Sequence, residues 1–120
     1  MPPPGAPYSA AVVANETCYV SGQIALDAAG QLSSGSIEHE APIALRNLFA
    51  VLTSAGFAST DVVSVTVLLA DIADFAAFNL IYEPFWPSGK FPARIAYQAA
   101  GLPLGARVEV QAVAVRPTPR

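Results

Sequence analysis

Charge is scarce in this sequence. Asp, Glu, Lys and Arg together make up 12% of its 120 residues, about half the share found in an average soluble domain. So few charges cannot cover a monomer in the usual mixed pattern. Part of the apolar surface is therefore expected to be buried against further copies of the chain. Basic residues are scarcer still, with six Lys and Arg scattered through a chain of net charge −3. Nucleic-acid binders ordinarily carry a basic footprint, so nucleic acid is not an expected partner. A lone Cys18 rules out an internal disulfide and gives no sign of an oxidising compartment. With a single histidine, His39, beside that one cysteine, no zinc constellation can be assembled. A Ser-His-Asp triad would have to use His39, yet no G-x-S-x-G elbow or phosphate-binding glycine loop is present. Hydrophobic residues reach 53%, but no apolar run approaches the roughly 20 residues of a membrane-spanning helix. The opening MPPPGAPYSA has neither the basic nor the apolar region of a signal peptide. The expectation is a cytoplasmic protein with no membrane partner.

What is present reads as one domain over residues 1–120, with a Pro-rich lead-in (1–7) and a tail (116–120) that cannot extend a sheet. A strand starts at Tyr8 and runs to Val13, Asn15-Glu16 makes a turn, and Thr17 to Ile24 resumes as a strand. Gly22 inside that strand marks a bulge or a close approach to the backbone. Residues 27–35 form a loop. Helical periodicity follows from about Glu38 to Ala55, with Leu45, Leu48, Phe49 and Leu52 on one face and Gly56 as the stop. Pro42 suggests that the regular helix starts near Ala41. Asp61 to Leu69 is a β-branched, central strand. Asp71 caps a second helix through Phe75, Phe78 and Tyr82, which ends at Pro84. Phe91 to Ala96 and Arg107 to Val115 complete the strands. The order ββ–α–β–α–β–β predicts an α+β fold, a single sheet with two helices packed on one face.

Two ionisable residues stand out in the last two strands, Arg94 at the opening of one and Glu109 between Val108 and Val110 in the other. Together they suggest a site that binds an anion and moves a proton. A structural ion pair between adjacent strands explains them equally well, and both readings stay open at this point. Burial would raise the Glu109 pKa and a nearby Arg94 would lower it. Cys18 reads as a small buried hydrophobe and His39 as a solvated residue at a helix start.

Further segments carry a resemblance. PYS (Pro7 to Ser9), SGQI (Ser21 to Ile24), LTSAG (Leu52 to Gly56) and DVVSVTVLLADIADFAAFNLIYEPFW (Asp61 to Trp86) are four of them. They continue with FPAR (Phe91 to Arg94), GLP (Gly101 to Pro103) and VEVQAVAV (Val108 to Val115). In this order, over nearly the whole chain, they resemble the RidA/YjgF family of reactive-intermediate (enamine/imine) deaminases. The resemblance implies a chorismate-mutase-like fold and a homotrimer with a central β-barrel and an active site in each cleft between subunits. It implies hydrolysis of 2-imino or 2-amino-enoic acids to 2-oxo acids and ammonia, without a cofactor. Arg94 matches the carboxylate-binding arginine and Glu109 the water-orienting glutamate of that family. Tyr8, Ser21, Gly22 and Asn79 match positions lining the cleft. Ala96 stands where the family often has cysteine, and its role is expected to be its backbone N–H. Tyr97 is bulkier than the small aliphatic usual there, and Pro84 is atypical. Each of these residues also has a plain structural reading. For Tyr8 it is packing, for Ser21 a strand-end hydrogen bond, for Gly22 a bulge and for Asn79 a solvent-facing helix position. A binding module that senses 2-oxo or amino acids without turnover is the alternative function. An endoribonuclease or translation inhibitor fits the acidic balance less well.

Overall fold

The structure, a computed structural model, describes residues 2–116. The lead-in is described from Pro2, and the expected tail beyond Arg116 lies outside the described residues. Strands β1 (Ala11–Ala14), β2 (Thr17–Gln23), β3 (Val62–Leu69), β4 (Ala93–Gln98) and β5 (Val108–Val115) form one mixed sheet in the order β1-β2-β5-β3-β4. β3 pairs parallel to β4 and antiparallel to β5. Helices α1 (Ile37–Ser54) and α2 (Phe75–Tyr82) pack against one face of that sheet and against each other. The expected α+β architecture is what forms.

Periodicity explains most of it. Leu45, Leu48 and Leu52 of α1 are buried, as are the alternating Val108, Val110, Ala112 and Ala114 of β5. With Val65, Val67, Phe78 and Tyr82 they make a single cluster between the layers. Phe49 is only partly buried; it stacks on Phe85 at 5.7 Å and meets Trp86 edge-on at 5.2 Å. Asn15 takes φ 54° in the β1–β2 turn, a conformation that asparagine tolerates. Gly56, at φ 86°, follows the Ala55 cap of α1.

Several boundaries differ from the sequence reading. β1 begins at Ala11 rather than Tyr8, because pairing with β2 runs only from Ala11↔Val20 to Ala14↔Thr17. α1 begins at Ile37 and carries Pro42 inside it, capped by the Ser36 side chain, which accepts from His39 N–H. β4 spans Ala93–Gln98 because its register with β3 starts at Ser64↔Ala93. β3 is interior, but β5 is the central strand. The largest correction is that β4 and β5 are not neighbours, since β3 lies between them. An ion pair between adjacent strands is thereby excluded as the reason for Arg94 and Glu109.

The helix layer is pinned to the start of β5 by a buried carboxylate. Glu40 is 1% exposed; its Oε2 accepts from Gly35 N–H at 3.1 Å and its Oε1 from Arg107 N–H at 2.9 Å. Arg107 in turn donates through Nε to Gly35 O at 2.7 Å, and its guanidinium lies 3.7 Å from Asp74 at the entry to α2. Removing the carboxylate strands two part-buried donors, each worth about 1–3 kcal/mol. We predict that Glu40→Ala lowers unfolding free energy by about 2–4 kcal/mol, read as a lower urea midpoint at unchanged slope. A midpoint indistinguishable from the parent would refute the pinning role.

Candidate active site in two halves

Directly paired residues on neighbouring strands project to the same face. Arg94 pairs with Val65 and Ala96 with Val67, so both lie on the helix-covered face. Glu109 pairs with Leu68 and lies on the bare face. Arg94 and Glu109 therefore sit on opposite faces of the sheet. The expectation that the two strands bring them to one pocket is not met within a single protomer.

The first half gathers at the open edge of β4. The Arg94 guanidinium carbon lies 4.8 Å from the centroid of Tyr82 and 5.6 Å from that of Phe75. Such stacking contributes about 0.5–2 kcal/mol and fixes the plane of the fork. Among the described residues Arg94 forms no ion pair. Asn79, half-buried on α2, keeps its Oδ1 buried without a hydrogen-bond partner among those residues, and so does the Tyr82 hydroxyl. Burial pushes the Tyr82 hydroxyl up to about 12, and the Arg94 charge opposes that rise. β4 is an edge strand, and Ala99 N–H reaches Leu69 O at 2.9 Å. Alternation along the strand then turns the N–H groups of Arg94 and Ala96 away from β3, toward the open edge. A free planar cation beside an unpaired backbone donor is an arrangement suited to a carboxylate.

The second half lies across the sheet. β2 shifts register between Val20 and Gln23, so the expected bulge at Gly22 is present. It has a use beyond the turn of the chain. A Cβ built on Gly22 would overlap the Glu109 carboxylate, with Glu109 Cδ only 2.7 Å away. Only a bare Cα leaves room for that side chain. Desolvation raises the Glu109 pKa above its ordinary value. Of the two opposing effects weighed from the sequence, burial is the one acting within the protomer, because Arg94 is on the far face. A cleft of about 320 Å³ opens beside Glu109, lined also by Tyr8, Gly22, Ile24, Pro103 and Leu104. Ser21 does not line it; its hydroxyl donates to Ser9 O at 2.6 Å and ties the Tyr8 segment down beside it.

The expected residues thus divide into Arg94, Ala96 and Asn79 on one side and Tyr8, Gly22 and Glu109 on the other, with Ser21 as a strut for the second set. Phe75, Tyr82 and Leu104 were not foreseen. Phe75, Asn79 and Tyr82 are spaced i, i+4, i+7, so the aromatic-polar-aromatic face of α2 was legible in principle. Nothing local in the sequence marks Leu104.

Comparison with known proteins places this geometry in context. The family described as Endoribonuclease L-PSP matches residues 1–116. A human protein named 2-iminobutanoate/2-iminopropanoate deaminase is 52% identical over 116 residues, covering 94% of this chain and 84% of the relative. A crystal structure of a putative endoribonuclease from Thermotoga maritima superposes with a TM-score of 0.91 at 37% identity, covering 98% and 92% of the two chains. The YjgF gene product of Escherichia coli superposes at 0.86 with 33% identity, covering 92% and 89%.

Proposed function

The chain belongs to the Endoribonuclease L-PSP family, the family of RidA and YjgF, and from that premise we propose that it is a hydrolytic deaminase. Its substrates are reactive 2-imino and 2-amino-enoic acids, converted to 2-oxo acids and ammonia. It works as a homotrimer whose bare sheet faces enclose a central barrel. The observation that carries this reading is the division of the site. An unpaired, ring-stacked Arg94 on one edge and a desolvated Glu109 beside a cleft on the other face are each half of one hydrolytic centre. A second copy completes it by setting the β4 edge of one protomer against the Glu109 cleft of the next. The bare face itself asks for cover, since Val12, Tyr19, Ile95 and Tyr97 on it are all exposed.

Chemistry follows from the parts. The substrate carboxylate sits on the Arg94 fork and the Ala96 N–H, which orients C2. Glu109 accepts a proton from a water as that water's oxygen bonds to C2. That proton passes to nitrogen to give a carbinolamine. The C2 hydroxyl proton then moves to nitrogen by way of Glu109, and the C–N bond breaks as the C2 carbonyl forms and ammonia leaves. An enamine substrate first gains a proton at C3 and loses one from nitrogen to become the imine. These substrates also hydrolyse in water alone, so placing water and carbon together supplies much of what is required.

RNA cleavage draws no support from the cations. Arg107 faces Asp74, Arg116 faces Glu16 at 3.3 Å, and Arg94 stands over the Tyr82 and Phe75 rings. The deciding experiment feeds the protein an imino acid made in place by an amino-acid oxidase and follows imine loss. Faster loss with the parent protein is expected, together with a light-scattering mass near three times 12.4 kDa. No acceleration for any imino acid defeats the enzymatic reading. A monomer at micromolar concentration defeats the shared site.

A further inference from the structure

We propose that Leu104 selects the substrate's side chain, favouring uncharged, apolar 2-imino acids. The proposal rests on the deaminase reading above and concerns the cleft beside Glu109. Leu104 sits in the turn between β4 and β5, held by Gly105 N–H to Leu102 O and Ala106 N–H to Pro103 O, each at 3.1 Å. Its backbone takes φ 58°, ψ 17°, left-handed geometry that a leucine occupies at a cost and a glycine does not. The other non-glycine residue with positive φ is Asn15, a type that accepts it. Folding gains little in return at Leu104, because the residue is 68% exposed and outside the core cluster. Backbone strain that packing does not explain points to a use of the side chain.

That use is visible in the cleft. Leu104 lines it with Ile24, Leu26, Tyr8 and Pro103, and Glu109 is the one charged group among its described lining residues. Carbons of the substrate beyond C2 would meet hydrocarbon there. A second carboxylate would lose its water opposite a glutamate, with no cation among the protomer's described lining residues to receive it. The apolar wall therefore attracts one class of substrate, and the missing cation turns away the other.

Calorimetric titration of the full-length protein with 2-oxo acids tests this without requiring turnover. The probes are pyruvate, 4-methyl-2-oxopentanoate and 2-oxoglutarate. The parent is expected to bind 4-methyl-2-oxopentanoate at least about tenfold more tightly than 2-oxoglutarate. Leu104→Gly should cut that ratio by about three- to tenfold, with Tm unchanged or raised. Leu104→Lys should improve 2-oxoglutarate binding about threefold or more, by supplying the missing cation. Unchanged ratios in both variants, with pyruvate still bound, overturn the role of Leu104 and leave the deaminase reading intact. A fall in Tm with loss of the oligomer in Leu104→Gly also overturns it, since Leu104 would then be a packing residue. A parent that binds none of the three acids overturns both readings.

Discussion

Arg94→Ala is expected to lower kcat/KM for imino acid hydrolysis by about two to three orders of magnitude. The guanidinium has no other partner to lose, as it forms no ion pair among the described residues. Its removal should therefore leave Tm within a degree or two of the parent, less the stacking on Tyr82 and Phe75. Arg94→Lys should recover little, because an ammonium offers neither the planar fork nor the same stacking. The placement of Arg94 and Glu109 on opposite faces adds a sharper outcome. Arg94→Ala and Glu109→Gln subunits, each nearly inactive, should regain activity when co-expressed. In a randomly mixed cyclic ring about one site in four pairs an intact Arg94 with an intact Glu109 from the next copy. Recovery near a quarter of the parent rate is the expected result. No recovery, with mixed rings verified by mass, would mean that each copy builds its site alone.

Glu109→Gln should lower kcat by about two to four orders of magnitude, the usual contribution of a positioned base, without dispersing the oligomer. Gly22→Ala reaches the same group by crowding. With a Cβ 2.7 Å from Glu109 Cδ the carboxylate must swing aside, and a shift of that size costs up to about a hundredfold in rate. Retention of full activity by Gly22→Ala would show that Glu109 need not sit where the bare Cα lets it. Acidity gives a third handle. Burial raises the Glu109 pKa within the protomer, so unless a neighbouring copy's Arg94 offsets that rise the proton-accepting form appears only as pH climbs through a value above its ordinary one. The acid limb of kcat/KM should lie correspondingly high and vanish from the residual activity of Glu109→Gln. Stability follows with a definite sign. Between the ordinary and the raised pKa the folded chain keeps a proton that the unfolded chain has released, so stability falls as pH rises through that window. Glu109→Gln titrates in neither state and should lack that fall.

The sequence announced its elements better than their arrangement. Alternation in Val108–Val115 and the leucine face of α1 are local patterns, and both were legible. The relation of Arg94 to Glu109 was not. Within a strand, facing direction can be counted in twos, but the loop between β4 and β5 breaks the count, and its phase is set only by register across β3. Strands consecutive in sequence usually pair, which favoured β4 beside β5 until the topology placed β3 between them. The bulge at Gly22 was readable from a glycine in a strand, while its purpose, space for a carboxylate from a strand 87 residues later, was not.

The opposed placement of the two charged groups has a consequence for the protein's life after synthesis. On the shared-site proposal, a freshly released chain, carrying its guanidinium and its carboxylate back to back, is chemically mute. On that proposal competence arrives only when chains meet, so at low abundance output should climb more steeply than the amount of protein made. Dilution in a test tube should silence the protein in the same disproportionate way.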